Sequence, residues 1–324
     1  MKRMNSPLKD QSGIALITVI LIVAILAAAT LEINRAMRTE IYAAANISDG
    51  IRLTCMAKSG FYGAAALMAG SGGAYDTLRE DWANAEILSA QSSALFAGGS
   101  FLVRMEDEQG KIPLHKLVSE GAVNMDVRDM MMRLLQTAPF GLDERRAAEI
   151  VDAVIDWMDA NEDISGMGAE SSYYASLPAP YAAKNGPLDC IEELLMVRGM
   201  TSELFFGTKD RPALGSLLTI YGTGKIHINT AHKVVLRALS PSMTAELADK
   251  MDEYRRKPGS NLSGADWYRS VSGMENVTIK PELIDVGKSN YFRIDSIGAE
   301  EKMEQGVTGI IARSPLRILS WRQN

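Results

Sequence analysis

The chain has 324 residues, 47% of them hydrophobic and 23% charged, and a formal net charge of −6. This is the composition of a folded protein, and the length implies an insertion or second domain beyond one small fold. The acidic balance argues against nucleic acid as a partner and gives no reason to expect a broad patch for anionic lipid.

Residues 1–13 hold Lys2, Arg3 and Lys9 against a single acid, Asp10, so the chain without them carries −8. From Ile14 to Leu31 no charge interrupts the apolar run, and about 18 residues at roughly 1.5 Å each reach across a bilayer core. The positive flank predicts a cytoplasmic start, with the remainder outside the inner membrane. A secretory signal would break its helical pattern after a shorter apolar core. Here Glu32, Asn34, Arg35, Arg38 and Glu40 interleave with Leu31, Ile33, Ala36, Met37 and Ile41, so the helix continues past the membrane. A plain signal anchor and a leader cut between Gly13 and Ile14 both fit this stretch.

The helical pattern runs on to Met68, with small residues from Ala43 to Ala66, and stops at Gly70-Ser71-Gly72-Gly73. Gly60 and Gly63 each weaken a helix by about 1 kcal/mol against Ala, which predicts close packing at both. Cys55 lies in this run and reads as a small buried residue; a disulfide to Cys190 is the other possibility in an oxidising compartment.

After a mixed segment from Tyr75 to Phe96, Phe101, Val103 and Met105 alternate as a strand that ends in a turn at Gln109-Gly110. From about His115 to Asp285 the chain reads as almost wholly helical. Its clearest element spans Leu142 to Ala160, where Ala147, Ile150, Val151, Val154, Ile155 and Met158 form an apolar stripe opposite Asp152, Asp156 and Asp159. Residues 187–201 read as two short helices joined at Gly199. Alternation returns at residues 291–297, 307–313 and 317–322, giving strands that close one antiparallel sheet with the strand at 101–105.

The sharpest chemical signal after the N-terminus is the acidic run through Asp156, Asp159, Asn161, Glu162, Asp163 and Glu170. Counted from Asp159, side-chain oxygens fall at the first, third, fifth and twelfth positions, the spacing of a calcium loop. Ile164 stands where an EF-hand needs Gly, so the turn must differ; a solvated acidic loop is the competing reading. Acids at a helix C-terminus also oppose the dipole, a cost that a divalent cation would remove. Catalytic material is thin. His227 and His232 are five apart, a poor match to a zinc helix, and each of the three histidines reads as structural or exposed. Gly222-Thr223-Gly224-Lys225 lacks both the Ser/Thr and the first Gly of a phosphate loop. The segment from Ile226 to Leu239 is similar to the first half of a helix-hairpin-helix. Its following turn, Ser240-Pro241-Ser242-Met243, offers no Gly for a phosphate, so it reads as a packing unit.

The leader and long helix resemble those of type IV pilins and type II secretion pseudopilins. Thr18 stands where most such proteins have Glu, the carboxylate that meets the N-terminal amine of a neighbouring subunit. That departure, the strand, the insert, the Ile-Asn-Thr-Ala segment and the returning strands together resemble the K-type minor pseudopilins, the GspK family. The resemblance implies an α+β, pilin-like fold: a long N-terminal helix packed on a small antiparallel sheet, with a large all-α domain inserted between strands. The implied divisions are a leader at 1–13, a membrane part at 14–31, pilin-like parts at 32–114 and 286–324, and the insert at 115–285.

It further implies a non-enzymatic subunit at the pseudopilus tip, cut between Gly13 and Ile14 by the prepilin peptidase and N-methylated at Ile14. The implied partners are the I-type and J-type minor pseudopilins, other pseudopilins, exoproteins and the outer-membrane secretin, with the inner membrane as anchor. Calcium is the implied cofactor, because the family motif matches Asp156-Trp157-Met158-Asp159, Gly168-Ala169-Glu170 and Tyr173-Tyr174. The candidate ligands are Asp156, Asp159, Asn161, Asp163 and Glu170. Two alternatives remain. A minor pilin of a type IV pilus or competence system would usually keep Glu at position 18. A membrane-anchored periplasmic enzyme would need a nucleophile, base and oxyanion donors converging at one place.

Overall fold

The computed structural model describes residues 12–323; the leader reading at residues 1–11 lies outside them. Helix α1 (Ser12–Gly70) runs 59 residues without a break. Its first part is exposed on every side through Ile47 and is long and apolar enough to cross a membrane. Within it Thr18 Oγ1 donates to Ile14 O at 2.9 Å and Thr30 Oγ1 to Leu26 O at 2.7 Å, which satisfies both hydroxyls inside the helix.

Past that segment come α2 (Glu86–Ser92), β1 (Ser100–Asp107), β2 (Ile112–Pro113), β3 (Val118–Ser119), β4 (Ala122–Val123), α3 (Met125–Gln136), α4 (Glu144–Met158), α5 (Ser171–Ala175) and α6 (Ser202–Phe206). The chain continues through β5 (Leu218–Thr219), β6 (Ile226–His227), α7 (Lys233–Ala238), α8 (Ala245–Arg256), β7 (Ile284–Asp285), β8 (Tyr291–Glu300), β9 (Met303–Ala312) and β10 (Arg317–Gln323).

The main sheet is antiparallel in the order β1-β8-β9-β10, with Met105 opposite Ile294 and Ile294 opposite Gly309. Leu53, Met56, Ala57, Phe61, Ala64, Ala65 and Met68 are the buried face of α1. Phe61 meets Trp321 edge-on at 4.8 Å, and Trp82 meets Phe292 at 5.0 Å. The helix lies close to the sheet because glycines face it. A Cβ on Gly298 would sit 2.2 Å from Leu53 O, and one on Gly60 would sit 2.4 Å from Ser296 Oγ. Gly63 differs from the expectation for it: a Cβ there meets Leu88 at an ordinary 3.5 Å. The outer edge of β1 is covered by α2, whose Ser89 and Ser92 hydroxyls accept from Val103 N and Phe101 N.

The chain leaves the sheet at Asp107 and re-enters it at Tyr291. Between these points it is less helical than its sequence predicts. Only α3, α4 and α8 exceed ten residues, and the parallel pairs β2-β5 and β6-β7 tie distant parts of the insert together. Proline and glycine at 139, 141, 178, 180, 187, 199 and 207 keep the other helical segments short. The Ile226–Ala231 stretch is buried, and Asn229 Nδ2 donates to the carbonyls of Asp76 and Leu262 while its Oδ1 accepts from Trp267 Nε1. Arg255 of α8, 1% exposed, donates to Ile228 O at 2.9 Å and pairs with Asp252.

Cys55 and Cys190 are free thiols, and both are exposed. Cys55 faces away from the sheet, between the buried Leu53 and Met56, so the reading of it as a buried residue is corrected. No disulfide joins the two: Cys55 sits on α1 and Cys190 caps a 3-10 turn in the insert.

Candidate metal centre

Asp143 opens α4 by accepting from Arg146 N at 2.8 Å, and the apolar stripe predicted for this helix is buried along its length. Its acidic side is buried as well. Asp152, Asp156 and Asp159 are 5%, 0% and 6% exposed, because residues 160–170 fold back over them. Asp152 accepts from Arg128 Nη2 at 2.9 Å and from Met167 N at 3.0 Å. Asp156 Oδ1 accepts from Ser165 N at 2.9 Å, and Asp159 Oδ1 from Asn161 N at 3.2 Å.

Two glycines permit this return. A Cβ on Gly166 would lie 2.4 Å from Asp152 Oδ2, and one on Gly168 would lie 2.0 Å from Asp156 Oδ2. Arg198 Nη1 donates to Gly168 O at 3.1 Å and its guanidinium covers the Tyr173 ring at 5.0 Å. Behind the acids Trp157 packs edge-on against Tyr174, which stacks on Tyr181.

The result is a group of three buried carboxylates, Asp156, Asp159 and Glu170, whose candidate ligand oxygens lie within 4.8 Å of one another. Asp156 Oδ2 and both oxygens of Glu170 are buried without a hydrogen-bond partner among the described residues. Burial first, then the charges of Asp156, Asp159, Glu162 and Asp163, pushes the Glu170 carboxyl up to about 7. Burial also raises Asp156 and Asp159, against the hydrogen bonds that each accepts from the loop. Like charges this close and this dry need a proton or a cation to neutralise them, and hard oxygen donors suit calcium.

The other two candidates are not buried with these three. Asn161 and Asp163 are exposed, and Asn161 Oδ1 accepts from Asp163 N at 2.7 Å. Glu162 is exposed too and accepts from Ser171 Oγ and Asn185 Nδ2. Arg128, which supports Asp152 of α4, and Arg198, which supports the loop at Gly168, left no local signal: they reach their partners from 24 and 30 residues away. The role of Gly166 and Gly168 against Asp152 and Asp156 needed the fold. Two of the histidines take structural parts: His227 is fully buried with both ring nitrogens engaged, and His232 caps α7 by accepting from Val234 N.

Comparison with known proteins places these features in one group. The family model for type II secretion system (T2SS) protein K matches residues 110–207, which include α3, α4 and the acidic loop. Type II secretion system protein K of Pseudomonas aeruginosa is 28% identical over 240 residues, covering 71% of this chain and 68% of that protein. Its counterpart in Pectobacterium carotovorum subsp. carotovorum is 43% identical over 65 residues, 20% of each chain. Among solved structures, a chain of the GspK-GspI-GspJ complex from the type 2 secretion system of enterotoxigenic Escherichia coli superposes with a TM-score of 0.66. The identity there is 17%, over 86% of this chain and 98% of that one. The fold is the same, with its long helix, small sheet and large insert, and residues 110–207 are similar to type II secretion system protein K.

Proposed function

We propose that this chain is a structural minor pseudopilin at the tip of the type II secretion pseudopilus, supporting export of folded exoproteins across the outer membrane. The apolar part of α1 holds it in the inner membrane as a single-pass anchor, with the bulk of the chain in the periplasm, until assembly. It then packs beside the I-type and J-type minor pseudopilins, above the other pseudopilins. The complex described for its structural neighbour, GspK with GspI and GspJ, supports this choice of partners. The large insert is the part that meets exoproteins or the secretin.

The observation that carries the tip position is Thr18, whose hydroxyl is spent on Ile14 O of its own helix. It presents no carboxylate to the amine of a subunit above, so the subunit is suited to a place with nothing above it. Intact mass and N-terminal sequencing of the protein from membranes of its own host test the assignment. A chain that starts at N-methylated Ile14, after prepilin-peptidase cleavage at Gly13, is the expected result. One that keeps Met1, or is cut beyond Ala29, overturns it.

Calcium is the proposed cofactor. Asp156, Asp159 and Glu170 would hold it, and their unpartnered buried oxygens together with the glycine-lined approach support the fit. The ion supplies positive charge that lets the 160–170 loop close over the acids; its role is structural. Titration of the calcium-stripped full chain with calcium, read by calorimetry and by thermal unfolding, tests this. Saturable binding with a raised melting temperature is expected, and no binding at millimolar calcium refutes it.

A further inference from the structure

The chain crosses between sheet and insert twice, at residues 107–111 and 284–291, and both crossings converge on one buried polar cluster. Asp107 ends β1 and accepts from Gln109 N at 2.8 Å, Ser289 Oγ at 2.5 Å and Thr230 Oγ1 at 2.6 Å. His227 of β6 places Nε2 2.7 Å from Gly287 O and Nδ1 3.1 Å from Thr230 Oγ1, with Asp107 Oδ2 3.8 Å from Nδ1. The side chains of His227 and Asp107 are 0% and 2% exposed.

Counting donors fixes the proton content. Gly287 O only accepts, so Nε2 carries a hydrogen. Thr230 has one hydroxyl hydrogen, with His227 O at 3.1 Å as a longer alternative acceptor to Asp107 Oδ2 at 2.6 Å. If Asp107 is ionised, that hydrogen goes to Asp107, and Nδ1 must then donate to Thr230 Oγ1, which makes the ring an imidazolium. If Nδ1 instead accepts from Thr230, Asp107 must itself be protonated to make its contacts with the two hydroxyls. A neutral ring beside an ionised carboxylate sets the Nδ1 lone pair against an oxygen with no hydrogen to give. Either allowed arrangement holds one proton more than that, and either is neutral overall, as a dry site requires.

We infer that Asp107 and His227 share one retained proton at neutral pH, and that this proton latches the insert onto the sheet. The neighbouring charges are committed elsewhere. Asp76, from the loop after α1, pairs with Arg313 at the end of β9 and accepts from Ser289 N. Asp285 of β7 accepts from Val286 N and Gly287 N. Glu108 pairs with the buried Lys111. Burial raises the Asp107 carboxyl, against the lowering pull of His227 and of its hydrogen-bond donors, which agrees with a proton kept within the pair.

The sign follows from linkage. Above about pH 6.5 the unfolded chain leaves both groups without the proton, while the folded joint keeps it. The contribution to stability is therefore complete below that value and falls about tenfold in equilibrium constant per pH unit as pH rises, until the folded joint loses its proton to solvent. Alkaline pH releases the insert from the sheet.

The chain has three histidines, so selective 15N-histidine labelling of the full chain in detergent reads the site directly. His115→Gln and His232→Gln assign His227 by elimination without touching the joint. Two ring nitrogens both bearing hydrogen at pH 7 support the inference, as does a neutral ring with a protonated Asp107 carboxyl seen by 13C. A neutral ring beside an ionised carboxylate overturns the shared proton. Hydrogen exchange at Gln109 and Asn290, corrected for the intrinsic pH dependence, tests the latch. Protection should fall about tenfold per pH unit above neutrality, and protection that stays constant after the proton is lost removes the latch.

Discussion

Gly168→Ala isolates the role of the close return over α4. The backbone at Gly168 is not in the left-handed region, so an alanine brings no torsional strain, only a methyl group. That methyl would sit 2.0 Å from Asp156 Oδ2, 2.7 Å from its Cγ and 2.8 Å from Asp152 O. The carboxylate could swing aside, but the helix carbonyl cannot, so the loop must lift. Overpacking of this kind costs about 1–3 kcal/mol. Because the loop carries Glu170, the lift separates Glu170 from Asp156 and Asp159, and calcium affinity should fall by about tenfold or more, equivalent to roughly 1.4 kcal/mol. Calorimetric titration of the stripped full chain and thermal unfolding with and without calcium measure both effects. Gly63→Ala is the control: its methyl meets only Leu88 at 3.5 Å on a helix, and it should stabilise by about 0.5–1 kcal/mol. If Gly168→Ala keeps wild-type affinity and melting temperature, the loop does not approach Asp156 as described and the metal reading loses its support.

Three further outcomes follow from the same geometry. Asp156→Asn removes one of three crowded buried charges, so it should raise stability without calcium, by about 1 kcal/mol or a few degrees, while weakening calcium binding; a fall in both would contradict the charge argument. Arg255→Met leaves Ile228 O without its partner, and since Asp252 keeps its pair with Arg256 and still reaches water the cost should lie near the lower end for a broken buried pair, about 3 kcal/mol by urea denaturation. Asp295 is held below the usual carboxylate range: burial works against it, but the hydrogen bond and charge of Arg293, joined by the Thr308 hydroxyl, outweigh burial. Its contribution is present above the unfolded value near 3.8 and disappears as pH falls through the lower folded value. Asp295→Asn should therefore be less stable than wild type at pH 7, with the gap closing below about pH 4; a constant gap would refute the assignment.

The parts of the fold that repeat were legible in the sequence. Alternation at 101–105, 291–297 and 307–313 identified strands because one face of the sheet packs on α1 and the other does not. The long helix was legible for the same reason, its apolar run passing into a helical pattern with small residues on the sheet side. The insert reads as almost wholly helical, whereas its core is made by short helices and two-residue strands. Ile112-Pro113 pairs with Leu218-Thr219 across more than a hundred residues, and a two-residue strand has no period to detect. Gly60 and Gly63 looked alike on paper, yet only Gly60 faces the sheet; which side of a helix is crowded is a property of the partner.

The three buried carboxylates are not spaced as consecutive ligands of one linear loop. Counting forward from Asp159 places Asn161 and Asp163 in line with it, as in a loop that wraps an ion with its own consecutive residues. In this chain the two acids come from the helix instead. Asp156 and Asp159 are three apart, which puts them on one face of the last turn of α4 and at its C-terminal cap. The third carboxylate, Glu170, returns from the far end of the loop, and Gly168 makes that return possible because no side chain blocks the approach to Asp156. Asn161 and Asp163 then spend their exposed positions shaping the turn, with the Asn161 side chain accepting from the Asp163 amide. The helix register supplies two of the three carboxylates and the loop only one. Exposed-loop changes at Asn161 or Asp163 should therefore cost calcium affinity far less than Asp156→Asn, a ranking that a single series of calorimetric titrations decides, and an equal loss at all three positions would restore the linear loop.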